Sequence, residues 1–183
     1  MDPRGDRSKG VTATTATLPA AAAGVFDFDA LYRDARDDVF AYAATLLHDR
    51  AAAEDITAQA FERAYRRRSR YDARRGSPRA WLFGIVRNAA LDELRKRKRA
   101  ATAQMPEPNP EPAPDEAAEL AAERDAVRAA LQRLAPRDRE VIALKYHAEL
   151  SNTELAAVLG VSPTNAGTLL HRAMTKLREA VDA

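Results

Sequence analysis

Six side chains near the end of the chain, Thr164, Asn165, Thr168, His171, Arg172 and Lys176, are of types that hydrogen-bond to base edges and phosphates. Their spacing suits one exposed side of a single helix. Asparagine can pair bidentately with adenine and arginine with guanine, so such a helix in a major groove could discriminate sequence. A second set, Arg87, Asn88, Asp92, Arg95 and Lys96, also recurs at helical spacing, and is expected on an exposed side opposite Trp81 and Ile85. Just before it lies a loop carrying Tyr71, Arg74 and Arg75. Cations beside an aromatic ring suit an opened strand, whose bases stack while its phosphates seek positive charge.

Catalytic chemistry finds less support. His48, His147 and His171 are scattered without the spacing of metal ligands, and there is no glycine-rich phosphate loop. The pair Glu54-Asp55 suits helix-start or interface charge better than a general acid and base. With no cysteine there is no disulfide framework and no thiolate metal site, which points to a reducing cytoplasm. The expectation is a binding protein without cofactor or metal.

The net charge of +2 conceals a banded distribution. Residues 27–62 carry nine acids against three basic groups, and residues 63–99 invert this to fourteen basic groups against three acids. Residues 105–125 return to seven acids against Arg124 alone, and the remainder holds eight basic groups and six acids. A concentrated basic band is the electrostatic footprint of a polyanion partner.

The elements that must position these groups read as helices throughout. Leu31, Val39, Tyr42 and Leu46 fall on one face of a helix from about Asp29 to His48. A second begins at Asp49 and carries Ile56, Phe61 and Tyr65 into the cluster Arg66–Arg68. Ser77-Pro78 reads as an N-cap followed by proline in the first turn, opening a helix that ends in the basic run Arg95–Arg99. Glu119–Leu134 suits another amphipathic helix, and Pro136 begins one carrying Val141, Ile142, Leu144 and Tyr146. Ser151 and Glu154 form a capping box, Gly160 ends that short helix, and Ser162-Pro163 opens the last. No segment alternates as a strand.

The organisation expected is all-α: a disordered tail (1–25), a helical domain (26–100), a flexible proline- and acid-rich linker (101–118) and a second helical domain (119–183). The first residues are too polar for a signal peptide, and no later segment reaches membrane-spanning length, so no membrane insertion is expected. The two short helices joined across Leu159–Ser162 have the form of a helix-turn-helix. Ala156 is small where the helices approach, and Leu155, Leu159, Val161, Ala166 and Leu169 fill the wedge. On the residues alone a dimeric helix-turn-helix repressor remains an alternative, as does a basic binder without sequence preference.

Ala53–Ala64 resembles the core-polymerase-binding helix of the extracytoplasmic-function (ECF) sigma factors of bacterial RNA polymerase. Ser77–Arg99 is similar to their promoter-melting helix in its Trp-Leu, its Arg-Asn and its Asp followed by Leu-Arg. Leu134–Leu177 looks like their second domain. The resemblance implies that Asp55, Gln59, Phe61 and Glu62 hold the polymerase β′ clamp helices, and it adds the β flap as a further contact. It also implies that Arg74, Arg75, Arg87, Asn88, Asp92, Arg95 and Lys96 read the melted minus-ten element, with bases flipped into pockets. The last helix would then read the minus-thirty-five duplex. A dedicated anti-sigma factor is a further implied partner. The chain departs from many relatives at Ala58, where they carry glutamine, and at Gly167 and Leu169, where they carry lysine and arginine.

Overall fold

The computed structural model describes residues 26–101 and 118–182, and every regular element in them is helical. The expected tail, and the linker apart from its two end residues, lie outside the described residues. The first block comprises α1 (Phe28–Leu47), α2 (Arg50–Arg67) and α3 (Pro78–Ala101), with short 3₁₀ turns at Arg68–Arg70 and Ala73–Arg75. The second comprises α4 (Ala118–Arg133), α5 (Pro136–Tyr146), α6 (Asn152–Leu159) and α7 (Pro163–Val181).

Local chemistry sets the boundaries. Asp27 and Asp49 are N-caps, each accepting a hydrogen bond from a backbone N–H three residues on, at 3.0 Å. Between them, His48 takes the left-handed conformation and turns the chain from α1 into α2. Ser77 accepts from the Ala80 N–H at 3.1 Å, and Pro78 occupies the first turn of α3. Glu154 and Ser151 form the complete capping box of α6, which ends at Gly160 with φ +70°. Glycine suits that stop, because a Cβ in the left-handed region is penalised.

Within the first block, Leu31, Ala35, Val39 and Tyr42 of α1 meet Ala53, Ile56, Ala60 and Ala64 of α2. The alanines let the helices approach closely. Across both lies the buried face of α3, Leu82, Phe83, Val86, Ala89 and Ala90, with Phe83 edge-on to Tyr42 at a centroid distance of 5.6 Å. In the second block α7 packs against α4, α5 and α6. The wedge forms as expected, with Leu155 and Ala166 fully buried and Leu159, Val161 and Leu169 packed against them.

Arg139, buried in α5, clasps the end of α4. Its guanidinium donates to the carbonyls of Leu131 (2.8 Å), Gln132 (2.9 Å) and Leu134 (3.0 Å) where the helix stops, and the Leu131 carbonyl also accepts from the Leu134 N–H at 3.2 Å. Burial draws its pKa below the ordinary arginine value.

The two blocks do not stand apart. α5 packs on α1 and α6 on α3, and one apolar cluster runs through both blocks, while Leu134, Ile142 and Ala173 form a separate small cluster within the second. Polar contacts stitch the seam. Arg79 of α3 donates to the carbonyls of His147 and Ala148, each at 2.7 Å, and to Asp38 Oδ2 at 2.5 Å. Arg87 Nε donates to Glu140 Oε1 at 2.7 Å, and the Glu140 side chain is only 8% exposed. Ser77 donates to Glu154, and Thr45 Oγ1 meets His147 Nε2 at 3.3 Å.

Candidate nucleic-acid and partner surfaces

Helical spacing places Asp55, Gln59 and Glu62 along one exposed stripe of α2, with Glu62 paired to Arg66 at 2.7 Å. Phe61 departs from the expectation of direct contact. It is buried under Phe28 and Tyr32, with ring centroids 6.3 and 4.8 Å away, because it shares the face of Ala53, Ile56, Ala60 and Ala64 that packs on α1. The aromatic surface offered beside the stripe is instead Tyr32 and Tyr65, 40% and 51% exposed and seated on Phe61 and Phe28. Sequence reasoning missed both as surface residues.

A second surface forms where the loop after α2 meets the start of α3. Phe26, Tyr71 and Trp81 stack together, with centroid distances of 5.0 Å (Phe26–Tyr71), 5.5 Å (Phe26–Trp81) and 5.8 Å (Tyr71–Trp81). The Tyr71 hydroxyl donates to the Gly76 carbonyl at 3.0 Å, which pins the loop. Burial, and then the nearby Asp72 charge, raise the Tyr71 pKa and keep that donor protonated. Asp72 holds Arg74 by its side chain and by its backbone N–H, and these bonds hold the Asp72 carboxyl below its ordinary value.

Beside the ring stack is an open cavity of about 390 Å³, whose walls include Arg70, Arg75, Trp81, Ile85 and Asn88. Asn88 was expected opposite Trp81 and Ile85, and the structure corrects this. Positions 81, 85 and 88 recur at four and three residues, so they share one face of α3 and one cavity wall. Asp92, Arg95 and Lys96 continue down the helix and are exposed, with Asp92 paired to Arg95 at 2.8 Å. Arg87 is the exception. It lies a quarter-turn away in the seam, bound to Glu140, and only 22% of its side chain is exposed. Nothing local in the sequence marks that partner, which is 53 residues distant.

On α7, Thr164, Asn165, Thr168, His171, Arg172 and Lys176 are all exposed. Ser162 caps the helix through the Asn165 N–H at 3.2 Å, and the Thr168 hydroxyl donates back to the Thr164 carbonyl at 3.1 Å. Lys176 is paired with Asp138 of α5 at 2.5 Å, so its ammonium is shared with the scaffold. A Cβ added at Gly167 would meet no atom within 4 Å, so the middle of this helix is open to an approaching surface. Among the described residues, no helix is long and apolar enough to cross a membrane, and no three His, Asp or Glu side chains converge as metal ligands.

A helical block with an aromatic and cationic cleft, followed by a capped helix-turn-helix block, defines a class of two-domain, all-helical nucleic-acid reader. Residues 31–100 match sigma-70 region 2, and residues 124–177 match sigma-70 region 4. The RNA polymerase sigma-E factor of Streptomyces coelicolor is 32% identical over 161 residues, which cover 87% of this chain and 88% of that one. The ECF sigma factor SigL of Mycobacterium tuberculosis is 30% identical, over 87% of this chain and 91% of its own length. CarQ of Myxococcus xanthus, an RNA polymerase sigma factor, is 33% identical over 80% of this chain and 89% of its own. Among solved structures, the sigma factor RpoE in complex with the anti-sigma factor NepR from Bartonella quintana matches with a TM-score of 0.70 at 23% identity, over 87% of this chain and 99% of that one. CnrH in complex with the cytosolic domain of CnrY matches with a TM-score of 0.61 at 26% identity, covering 85% and 87%. The chain therefore belongs to the ECF sigma factors of the sigma-70 family, which are transcription-initiation factors.

Proposed function

We propose that the chain binds RNA polymerase core enzyme through the α2 stripe, reads a melted minus-ten strand at the α3 cleft, and reads the minus-thirty-five duplex with α7. The observation that carries this is the cleft itself. Trp81 of the aromatic stack, two arginines and an exposed asparagine line one open cavity there. Aromatic faces take bases with little regard to sequence, the arginines attract phosphate, and Asn88 supplies a hydrogen-bonding edge. Arg74, Asp92, Arg95 and Lys96 extend the track.

Asp55, Gln59 and Glu62 supply the negative and polar groups for the polymerase clamp, backed by Tyr32 and Tyr65, with Phe61 as their support. The polymerase flap and an anti-sigma factor complete the partners, the latter by likeness to a sigma factor of the same fold captured with one. Thr164, Asn165, Thr168, His171 and Arg172 face the duplex, and Lys176 reaches phosphate once released from Asp138. The protein works in the cytoplasm, on the nucleoid, and carries no catalytic function of its own. A dimeric repressor gains nothing from a strand-reading cleft, and the family matches do not favour it.

The test is promoter opening. The chain and core polymerase are incubated with a promoter library, and unpaired thymines are mapped by their chemical reactivity. Opening confined to a shared motif, and dependent on both proteins, is expected. A complex that forms but opens nothing would overturn the strand-reading role.

A further inference from the structure

α3 carries a glycine that its own fold does not require. Gly84 lies in the middle of the helix without a positive φ, and a Cβ built there would meet no atom within 4 Å. Helix interiors disfavour glycine relative to alanine, because glycine loses more backbone freedom when it is fixed. Neither a tight turn nor a close neighbour within the chain offsets that cost. The core is filled without help from this position, since Leu82, Phe83 and Val86 on either side of it are fully buried. What Gly84 does face is the cleft. It lines the cavity one turn from Trp81 and one turn from Asn88, on the same side of α3.

We infer that Gly84 is a specificity-determining position of the cleft, where the bare helix backbone seats one unstacked base between Trp81 and Asn88. This rests on the proposed strand-reading role. Trp81 supplies an aromatic face, and the Asn88 amide can both donate and accept along a base edge. With no side chain at position 84, a base can pass between them as far as the backbone, the kind of close approach that glycine allows. The cavity of about 390 Å³ is of the size that holds small ligands, about 300–1,000 Å³. Its other wall does not yield easily. Gly76 and Arg75 line it from the loop before α3, and the Tyr71 hydroxyl pins that loop through the Gly76 carbonyl at 3.0 Å. A methyl group at position 84 therefore enters the cavity itself, where it takes the place of part of the base and touches nothing else.

The test sets folding against opening in the full-length chain. Gly84→Ala should raise the urea midpoint or leave it unchanged, because alanine is the better helix former. In holoenzyme reconstituted with core polymerase, on a promoter that the unaltered chain opens, the same variant should slow opening at least about tenfold, the effect of one methyl misplaced in a fitted pocket. Gly84→Val should slow it further. The minus-ten bases are then replaced one at a time by abasic sites, and each variant is compared with the unaltered chain on the same template. An abasic site at one position, and at no other, should bring the two rates together, because the base that met the added methyl is gone. Normal opening by both variants would overturn the inference, as would slowing that no abasic site relieves. A fall in the urea midpoint of Gly84→Ala would also overturn it, since the fold and not the strand would then need the glycine. If holoenzyme forms with the unaltered chain yet opens no promoter, the strand-reading role itself falls and takes this inference with it.

Discussion

Replacing Arg139 with alanine should unfold the second domain far more readily than any loss of surface charge would. The guanidinium is buried and satisfies the carbonyls of Leu131, Gln132 and Leu134 at the end of α4. A hydrogen bond from a charged donor contributes about 1.5–3 kcal/mol, but bonds sharing one donor do not add fully. Their removal should therefore cost about 3–4 kcal/mol, a large part of the roughly 5–15 kcal/mol that holds a domain folded. With a urea slope of about 1–3 kcal/mol per molar, the midpoint should fall by at least about 1 M. Arg139→Lys keeps the charge but loses the planar fork, so it should fall between the two. Urea unfolding followed by circular dichroism at 222 nm provides the assay. A loss under about 1 kcal/mol in the alanine variant would refute the clasp, as would equal losses for alanine and lysine.

Asp55→Ala removes an exposed charge from the α2 stripe, so core-polymerase affinity should drop several-fold while the urea midpoint stays fixed; unchanged affinity would remove Asp55 from the clamp surface. Asn88→Ala should leave polymerase binding intact but slow promoter opening, read by stopped-flow fluorescence of a labelled minus-ten base, and normal opening would exclude it from the cleft. The docking of α5 on α1 should also weaken in acid. Burial holds His147, which meets Thr45 across that contact, below its ordinary value of 6.5, against an opposing pull from Asp38, so the docked arrangement binds its proton less readily than an undocked one. Docking is then fully present above that ordinary value and lost as pH falls below it toward the depressed value. The distance between the two blocks, measured between pH 8 and pH 5, should show this loss, and His147→Gln should flatten it; an equal response in the variant would assign the effect elsewhere.

Much of the fold was legible because its signals are local. Ser77-Pro78, Ser151 with Glu154, Gly160 and Ser162-Pro163 each act within four residues, and each lies where the sequence puts a helix end. Phe61 was also legible in principle. It falls on the buried stripe with Ile56, Ala60 and Ala64, yet its resemblance to a clamp-contacting position pointed outward. The grouping of Asn88 with Trp81 and Ile85 likewise follows from helical spacing once one face is traced consistently. The seam was a different matter. Arg79 finds its carbonyls 68 and 69 residues away, and Arg87 finds Glu140 at 53. Such pairings depend on how two blocks dock, and no periodicity within either block encodes them.

The central claim is that this chain gives polymerase its choice of promoter. The most direct measurement is sequencing of the transcripts made when core enzyme, with and without the chain, acts on fragmented genomic DNA. Starts confined to the sample containing the chain, each at a fixed distance below two shared motifs about two helical turns apart, are the predicted result. Identical starts with and without the chain would contradict it.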